Sequence, residues 1–190
     1  MNMETLLSVL IGLGLSAACG FRVFVPLLIA SLAARSGHLE LWSGLDWIGS
    51  TPALWAFAAA TVLEIAGYYI PWVDHMLDAI AAPTAIVAGM LLTASSLSPN
   101  LDPFVRWSLA LVAGGGTAAI FHGFTAGVRG LSTATTGGLG NPVVATAEAG
   151  GAAILSVLAI IVPVVAVLGL ALLVAFAARR FLFRRPTAAS

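Results

Sequence analysis

Residues 143–183 form one apolar stretch with no polar turn, and only Glu148, Arg179 and Arg180 carry charge within it. A bilayer crossing needs about 20 apolar residues, so this stretch is too long for one perpendicular span and too apolar for a soluble surface. Residues 6–34 form a second such stretch, interrupted only by the charge of Arg22. Backbone polar groups in lipid must be satisfied within the chain, which leaves helices or closed barrels. The apolar runs here are continuous and do not alternate with period two, which disfavours a barrel.

Composition agrees. Hydrophobic residues make up 60% and charged residues 8% of the chain, against about 45–50% and about 25% in an ordinary soluble domain. Mean hydropathy is +1.05. The chain therefore reads as all-α, a polytopic transmembrane helical bundle with about five or six spans of about 20 residues. Residues 1–183 form a single integral membrane domain, residues 184–190 a short basic cytoplasmic tail, and no length remains for a soluble catalytic domain. The net charge of zero supplies no basic field for nucleic acid. A single cysteine, Cys19, excludes an intramolecular disulfide. The segment Leu15-Ser16-Ala17-Ala18-Cys19 resembles a lipoprotein cleavage box, but Glu4 stands where a signal needs positive charge and the apolar run continues past it. Cys19 is read as a packing residue.

Several breaks are legible. Residues 6–34 are expected to break at Gly20-Phe21-Arg22, ahead of Pro26, which removes a helix hydrogen bond. Residues 35–51, with Trp42, Asp46 and Trp47, read as a loop along the membrane surface. A span over residues 52–70 carries Glu64, residues 71–78 form a short polar link, and Pro83 opens the next span. Ser98-Pro99-Asn100-Leu101-Asp102-Pro103 is a tight turn. Residues 114–151 are dense in glycine, with Gly123 and Gly127 spaced as a helix-packing GxxxG pair. Asn141-Pro142 reads as a helix start, Asn as cap and Pro at the first helical position. Glu148 then lies either on a re-entrant piece leading to a kink at Pro163 or on one long bent helix.

Glu64 and Glu148 stand in similar small-residue settings, which suggests duplicated halves, residues 1–98 and 104–183, with broken segments meeting near the membrane midplane. A charge at membrane depth costs about 2.5–3.5 kcal/mol on insertion scales, so each needs a partner. Arg22 is the natural one, paired with Glu64, Glu148 or both, and its planar fork can hold two carboxylates or a carboxylate and a phosphate. His122 is the residue whose charge changes near neutral pH. Arg129 and Asn141 complete the set of candidate substrate- or ion-binding residues. Asp74, His75 and Asp78 are a weak metal set, incomplete in ligand number and offset on a helix. No zinc motif, P-loop or GxSxG elbow is present, and no cofactor is expected.

Gly20-Phe21-Arg22-Val23-Phe24-Val25-Pro26, Glu64 with Ile70-Pro71-Trp72-Val73-Asp74, His122-Gly123 with Arg129, and Gly140-Asn141-Pro142-Val143-Val144 with Glu148 together resemble the DUF4126 family, a domain of unknown function found in bacterial polytopic membrane proteins. The resemblance implies a multi-pass membrane protein and no established activity. It also implies a charged network in relatives that is simplified here: an Asp-Lys pair is replaced by Tyr68-Tyr69, a lysine by Thr125 and an acidic residue by Ala149.

Three functions follow from the residues. The first is a small transporter or lipid-phosphate translocator in the inner (plasma) membrane, with an anionic small molecule, lipid phosphate or proton as cargo. The second is a structural or accessory subunit whose buried charges fix helix register and whose glycine faces pack against a partner or a second copy, as a homo-oligomer. The third is a lipid-acting enzyme, for which no nucleophile–base pair stands out. Counting arginines over five spans places the N-terminus outside and puts Arg35, Arg106 and the C-terminal cluster inside.

Overall fold

The computed structural model describes residues 3–182, and these are all-helical. In chain order the helices are α1 (Met3–Phe21), α2 (Phe24–Arg35), α3 (Thr51–Gly67), α4 (Pro71–Ser96), α5 (Pro103–Leu109), α6 (Gly116–Thr136), α7 (Asn141–Ile161) and α8 (Pro163–Leu182). A π-helical turn, Ala110–Gly115, joins α5 to α6, so that 103–136 is one continuous helical stretch. Four stretches reach the length and apolarity of a crossing: Met3–Phe21, Ala79–Ser96, Pro103–Thr136 and Asn141–Ile161. Phe24–Arg35, Thr51–Gly67 and Pro163–Phe176 are shorter apolar helices.

The bundle is built around α1, which packs against α4, α6, α7 and α8. Small residues allow this: Ala17, Ala18, Ala85, Ala94, Ala118 and Ala159 are all buried, while Trp55, Leu63, Phe104, Val112, Val143 and Leu172 face outward. Large apolar side chains outside and small ones inside is the pattern of a helical membrane protein, whose helices associate by close packing and not by hiding oil from water. Helices α1 and α4 run antiparallel along a polar seam. Ser16 Oγ donates to Gly89 O at 2.8 Å and lies 2.7 Å from Thr93 Oγ1, which in turn donates to Gly12 O at 3.2 Å.

The expected break after α1 is present and its cause is local. Pro26 has no N–H for the carbonyl of Arg22, four residues back, and the helix gives way at Arg22 and Val23. Arg22 N still reaches Ala18 O at 3.0 Å. Gly20 O accepts instead from Thr125 Oγ1 at 3.3 Å, because α6 passes against Gly20. A Cβ built on Gly20 would lie 2.5 Å from Phe121 Cβ and 2.7 Å from Ala118 O. Gly20→Ala is therefore expected to cost about 1–3 kcal/mol by overpacking. The GxxxG pair behaves differently: nothing lies within 4 Å of a Cβ at Gly123 or Gly127, so neither packs against another helix among the described residues. Their alanine variants should stay within about 0.5 kcal/mol of the parent. Thermal unfolding of the three variants in one detergent separates the two cases.

Other expectations are corrected. Residues 71–78 are not a link, since α4 runs unbroken from Pro71, at a first-turn position that suits proline, through Pro83 to Ser96. Next to the bond that Pro83 removes, Thr84 Oγ1 donates to Ile80 O at 2.6 Å. The loop 36–50 does not simply lie along the surface. It buries Leu39, Leu45 and Ile48, and Trp42 N donates to Ser95 O at 2.9 Å, closing the end of α4. Glu4 and Ser8 line the same cleft as His38, Trp42 and Ser98. The first apolar stretch is thus a helical hairpin, and the N-terminus lies at the same end of the bundle as Arg35 and Arg106, not opposite them. Asp102 caps α5 as its turn sequence suggests, accepting from Phe104 N at 2.9 Å and Val105 N at 3.3 Å. Asn141 does not cap α7: its Nδ2 donates to Thr133 Oγ1 at 3.1 Å instead. Glu148 sits on a full-length helix rather than a re-entrant piece, and the break ahead of Pro163 falls at Val162.

Candidate functional site

Three elements bring charge to one place. The inward face of α7 is Asn141, Ala145, Glu148 and Ala152, and that of α6 includes His122, Thr125 and Arg129, spacings that keep each set on one helical face. The third element is the α1–α2 break, which carries Arg22. Arg22 Nη2 lies 3.0 Å from Glu148 Oε2, and Arg129 Nε lies 3.4 Å from Glu148 Oε1. One carboxylate therefore bridges two guanidiniums, one on each oxygen. Arg22 Nη2 also donates to Ala145 O at 3.1 Å. Tyr68, just past the end of α3, presents its ring to both arginines, 3.6 Å from Arg22 Cζ and 4.8 Å from Arg129 Cζ, within reach of cation–π attraction.

Glu64 has a different job. On the inward face of α3 with Phe57 and Thr61, it accepts from Val23 N at 2.8 Å through Oε1 and from Phe24 N at 3.1 Å through Oε2. These are N–H groups that the break leaves without carbonyl partners, at the positive end of the α2 dipole. Glu64 thus caps a half-helix inside the bundle and makes no ion pair among the described residues. Of the two carboxylates offered to Arg22, it is Glu148 that pairs with it. Exposure is 2% for Arg22, 4% for Arg129, 5% for Glu148 and 6% for Glu64, so none of the four is screened by bulk solvent. Arg22 Nε and Nη1 are buried with no hydrogen-bond acceptor among the described residues.

The remaining candidates stand apart. His122 is buried on the same α6 face as Arg129 but two helical turns away. Asn141 is likewise two turns from Glu148 along α7, next to Thr133, so the α7 N-terminus does not reach the cluster. Arg22 and Tyr68 stand at the ends of their elements, while Arg129 and Glu148 stand about two turns in from the α6–α7 turn, so the cluster lies on that side of the bundle, away from Arg106. The side chains of Asp74, His75 and Asp78 lie outside the described residues. Among the described residues no three His, Cys, Asp or Glu side chains come together as metal ligands.

Two clefts meet the cluster. The larger, about 480 Å³, lies between α2, α3 and α4, is walled by Leu63, Leu77 and Ile80, and has Val23, Glu64 and Tyr68 on its lining. A second of about 300 Å³, between α6 and α7, reaches Thr125 and Glu148.

Sequence reasoning missed two residues. Tyr68 follows Glu64 by four positions on the same face, which was the available signal. Arg106 counted only toward orientation, yet it is wholly buried and donates to Ala94 O at 2.7 Å, Leu97 O at 3.0 Å and Ser98 O at 2.6 Å. It belongs to the opposite end of the bundle and closes the C-terminus of α4.

A family model described as a domain of unknown function, DUF4126, matches residues 9–182. No curated protein and no solved structure matches the chain.

Proposed function

The chain belongs to the DUF4126 family of membrane proteins of unknown function, and from that premise we propose that it is a small transporter whose working site is the Arg22–Glu148–Arg129 cluster with Glu64 beside it. The observation that carries this reading is Arg22. A guanidinium that is 2% exposed, with two nitrogens lacking acceptors among the described residues, is costly unless something with oxygen atoms visits it. Its oxygen partners among the described residues, Glu148 and Ala145 O, both fall on Nη2, which leaves the other two nitrogens for a visiting oxyanion. The cargo is an anionic group, free or on a lipid. Glu64 or Glu148 exchanges a proton as it binds and leaves, and a broken helix aimed at the site is how many transporters hold an ion.

The test is Glu64→Gln and Glu148→Gln, each measured for folded yield and for pH-dependent anion uptake or lipid flipping in proteoliposomes. The expected result is near-parental yield for Glu64→Gln, because an amide oxygen still accepts from Val23 N, with the pH dependence flattened. Reduced yield in both variants, with no transport by the parent protein, would leave the cluster as a structural fastening and sink the proposal.

A further inference from the structure

Resting on that reading, we infer that the cleft between α2, α3 and α4 and the N-terminus of α2 form one binding site for an amphiphile with a single anionic headgroup, in which Glu64 is the internal anion that the headgroup displaces. The start of α2 meets the base of the cleft. Val23, Phe24 and Glu64 all line it, so the two backbone N–H groups that Glu64 holds are open to a ligand lying there. A carboxylate across the first N–H groups of a helix occupies the place where helices bind phosphates and carboxylates. Arg22 does not itself line the cleft but stands behind Tyr68, which does, its Cζ 3.6 Å from that ring, buried and with two nitrogens lacking acceptors among the described residues. Together these donors suit an oxyanion with more than two oxygens, as a phosphate has.

The walls say what the oxyanion is attached to. Leu63 of α3, Ile70 between α3 and α4, and Ile80 of α4 line the cleft and are more than half exposed on the outer surface. The cleft therefore opens sideways, toward lipid, and an inorganic ion would leave its apolar volume of about 480 Å³ empty. An alkyl or lipid tail fills it.

Charge sets the condition for entry. The groups around Glu64 are Cys19 from α1, Arg22 from the α1–α2 break and Arg129 from α6, with Tyr68 at the end of its own helix and Glu148 from α7 in contact with those arginines. His122 is two turns further along α6, and the Asp74, His75 and Asp78 side chains of α4 lie outside the described residues. Two carboxylates already balance the two arginines, so a third anion is admitted only when one carboxylate takes up a proton. Glu148 is fastened between two guanidiniums. Glu64 is held by neutral N–H groups and takes the proton, which comes from the aqueous phase, and its carboxyl then turns away from Val23 N and Phe24 N.

The experiment measures equilibrium binding of radiolabelled dodecyl phosphate to the purified full chain in neutral-lipid nanodiscs, with empty nanodiscs as blank. Inorganic phosphate and dodecyltrimethylammonium serve as competitors. Expected is saturable binding that tightens as pH falls, resisted by neither competitor. Glu64→Gln should bind about tenfold tighter near neutral pH and keep only the pH dependence that the second ionisation of the phosphate headgroup supplies, since its amide competes less well for the helix end. Ala60→Phe, on the cleft wall away from the cluster, should weaken binding about tenfold with unchanged thermal stability. Competition by dodecyltrimethylammonium, or loss of binding in Glu64→Gln with folding intact, would overturn the inference. Equal binding of inorganic phosphate, untouched by Ala60→Phe, would overturn the cleft site and leave the anion transporter standing. Absence of binding by either phosphate would remove both.

Discussion

Glu148→Ala is expected to be among the most damaging single substitutions in this chain, with a loss of about 3–5 kcal/mol of folding stability, the cost of breaking a buried ion pair from one side. Both oxygens of Glu148 face guanidiniums, Arg22 at 3.0 Å and Arg129 at 3.4 Å, so its removal leaves two buried cations against the face of Tyr68 with no counter-charge between them. Alanine itself suits the helix, since the surrounding α7 sequence is already rich in alanine and glycine. The loss therefore reports electrostatics and not helix propensity. Glu148→Gln keeps the shape and one acceptor and should fall between parent and alanine. Arg22→Met with Glu148→Met, a neutral pair of similar length, should recover only part of the stability, because Arg129 stays buried with Glu148 no longer opposite it. Reversible denaturation in mixed micelles, with the double-mutant cycle completed, gives the coupling energy.

Arg106→Ala should cost a similar amount, about 3 kcal/mol or more, for a different reason. Its guanidinium donates to three carbonyl oxygens at the end of α4 and in the following turn. It also lies 4.3 Å from the centre of the Trp42 ring, in the loop that covers that end. Without it the buried carbonyls of Ala94 and Leu97 lose their charged donor, and the loop 36–50 loses one of its contacts at the end of α4. Arg106→Lys offers one compact ammonium where a planar fork served three acceptors, and should restore only part. Because Arg106 is at the far end of the bundle from Glu148, its variants should lower stability without changing the pH dependence of anion binding. A shift in that dependence would show the two ends to be coupled.

Class and breaks were legible in the sequence because they depend on local chemistry. Apolar run length dictates helices in lipid, and Pro26 and Pro163 act on carbonyls only four residues away. Proline alone was a poorer guide at Pro83, where the helix continues because packing on α1 outweighs one missing hydrogen bond. The division of labour between Glu64 and Glu148 could not be read, because both satisfy the same rule that a buried carboxylate needs donors. Only the approach of α3 to the α1–α2 break gives Glu64 backbone N–H groups instead of a guanidinium. Tyr68 and Arg106 were missed for the same reason: what makes each matter is a contact with a segment distant in sequence, or with carbonyls that only a finished helix end presents. The placing of the N-terminus beside Arg35 and Arg106 likewise follows from α2 turning back along the bundle, which no arginine count detects.

The account stands most directly on the proton taken up by Glu64. The full chain in nanodiscs, in weakly buffered solution near neutral pH, is mixed with dodecyl phosphate while a pH-sensitive dye follows the protons consumed. Because the phosphate headgroup exchanges protons of its own near neutral pH, the account predicts about one proton more taken up per amphiphile bound by the parent than by Glu64→Gln, which still binds. Equal proton uptake per amphiphile in the parent and in Glu64→Gln would contradict it.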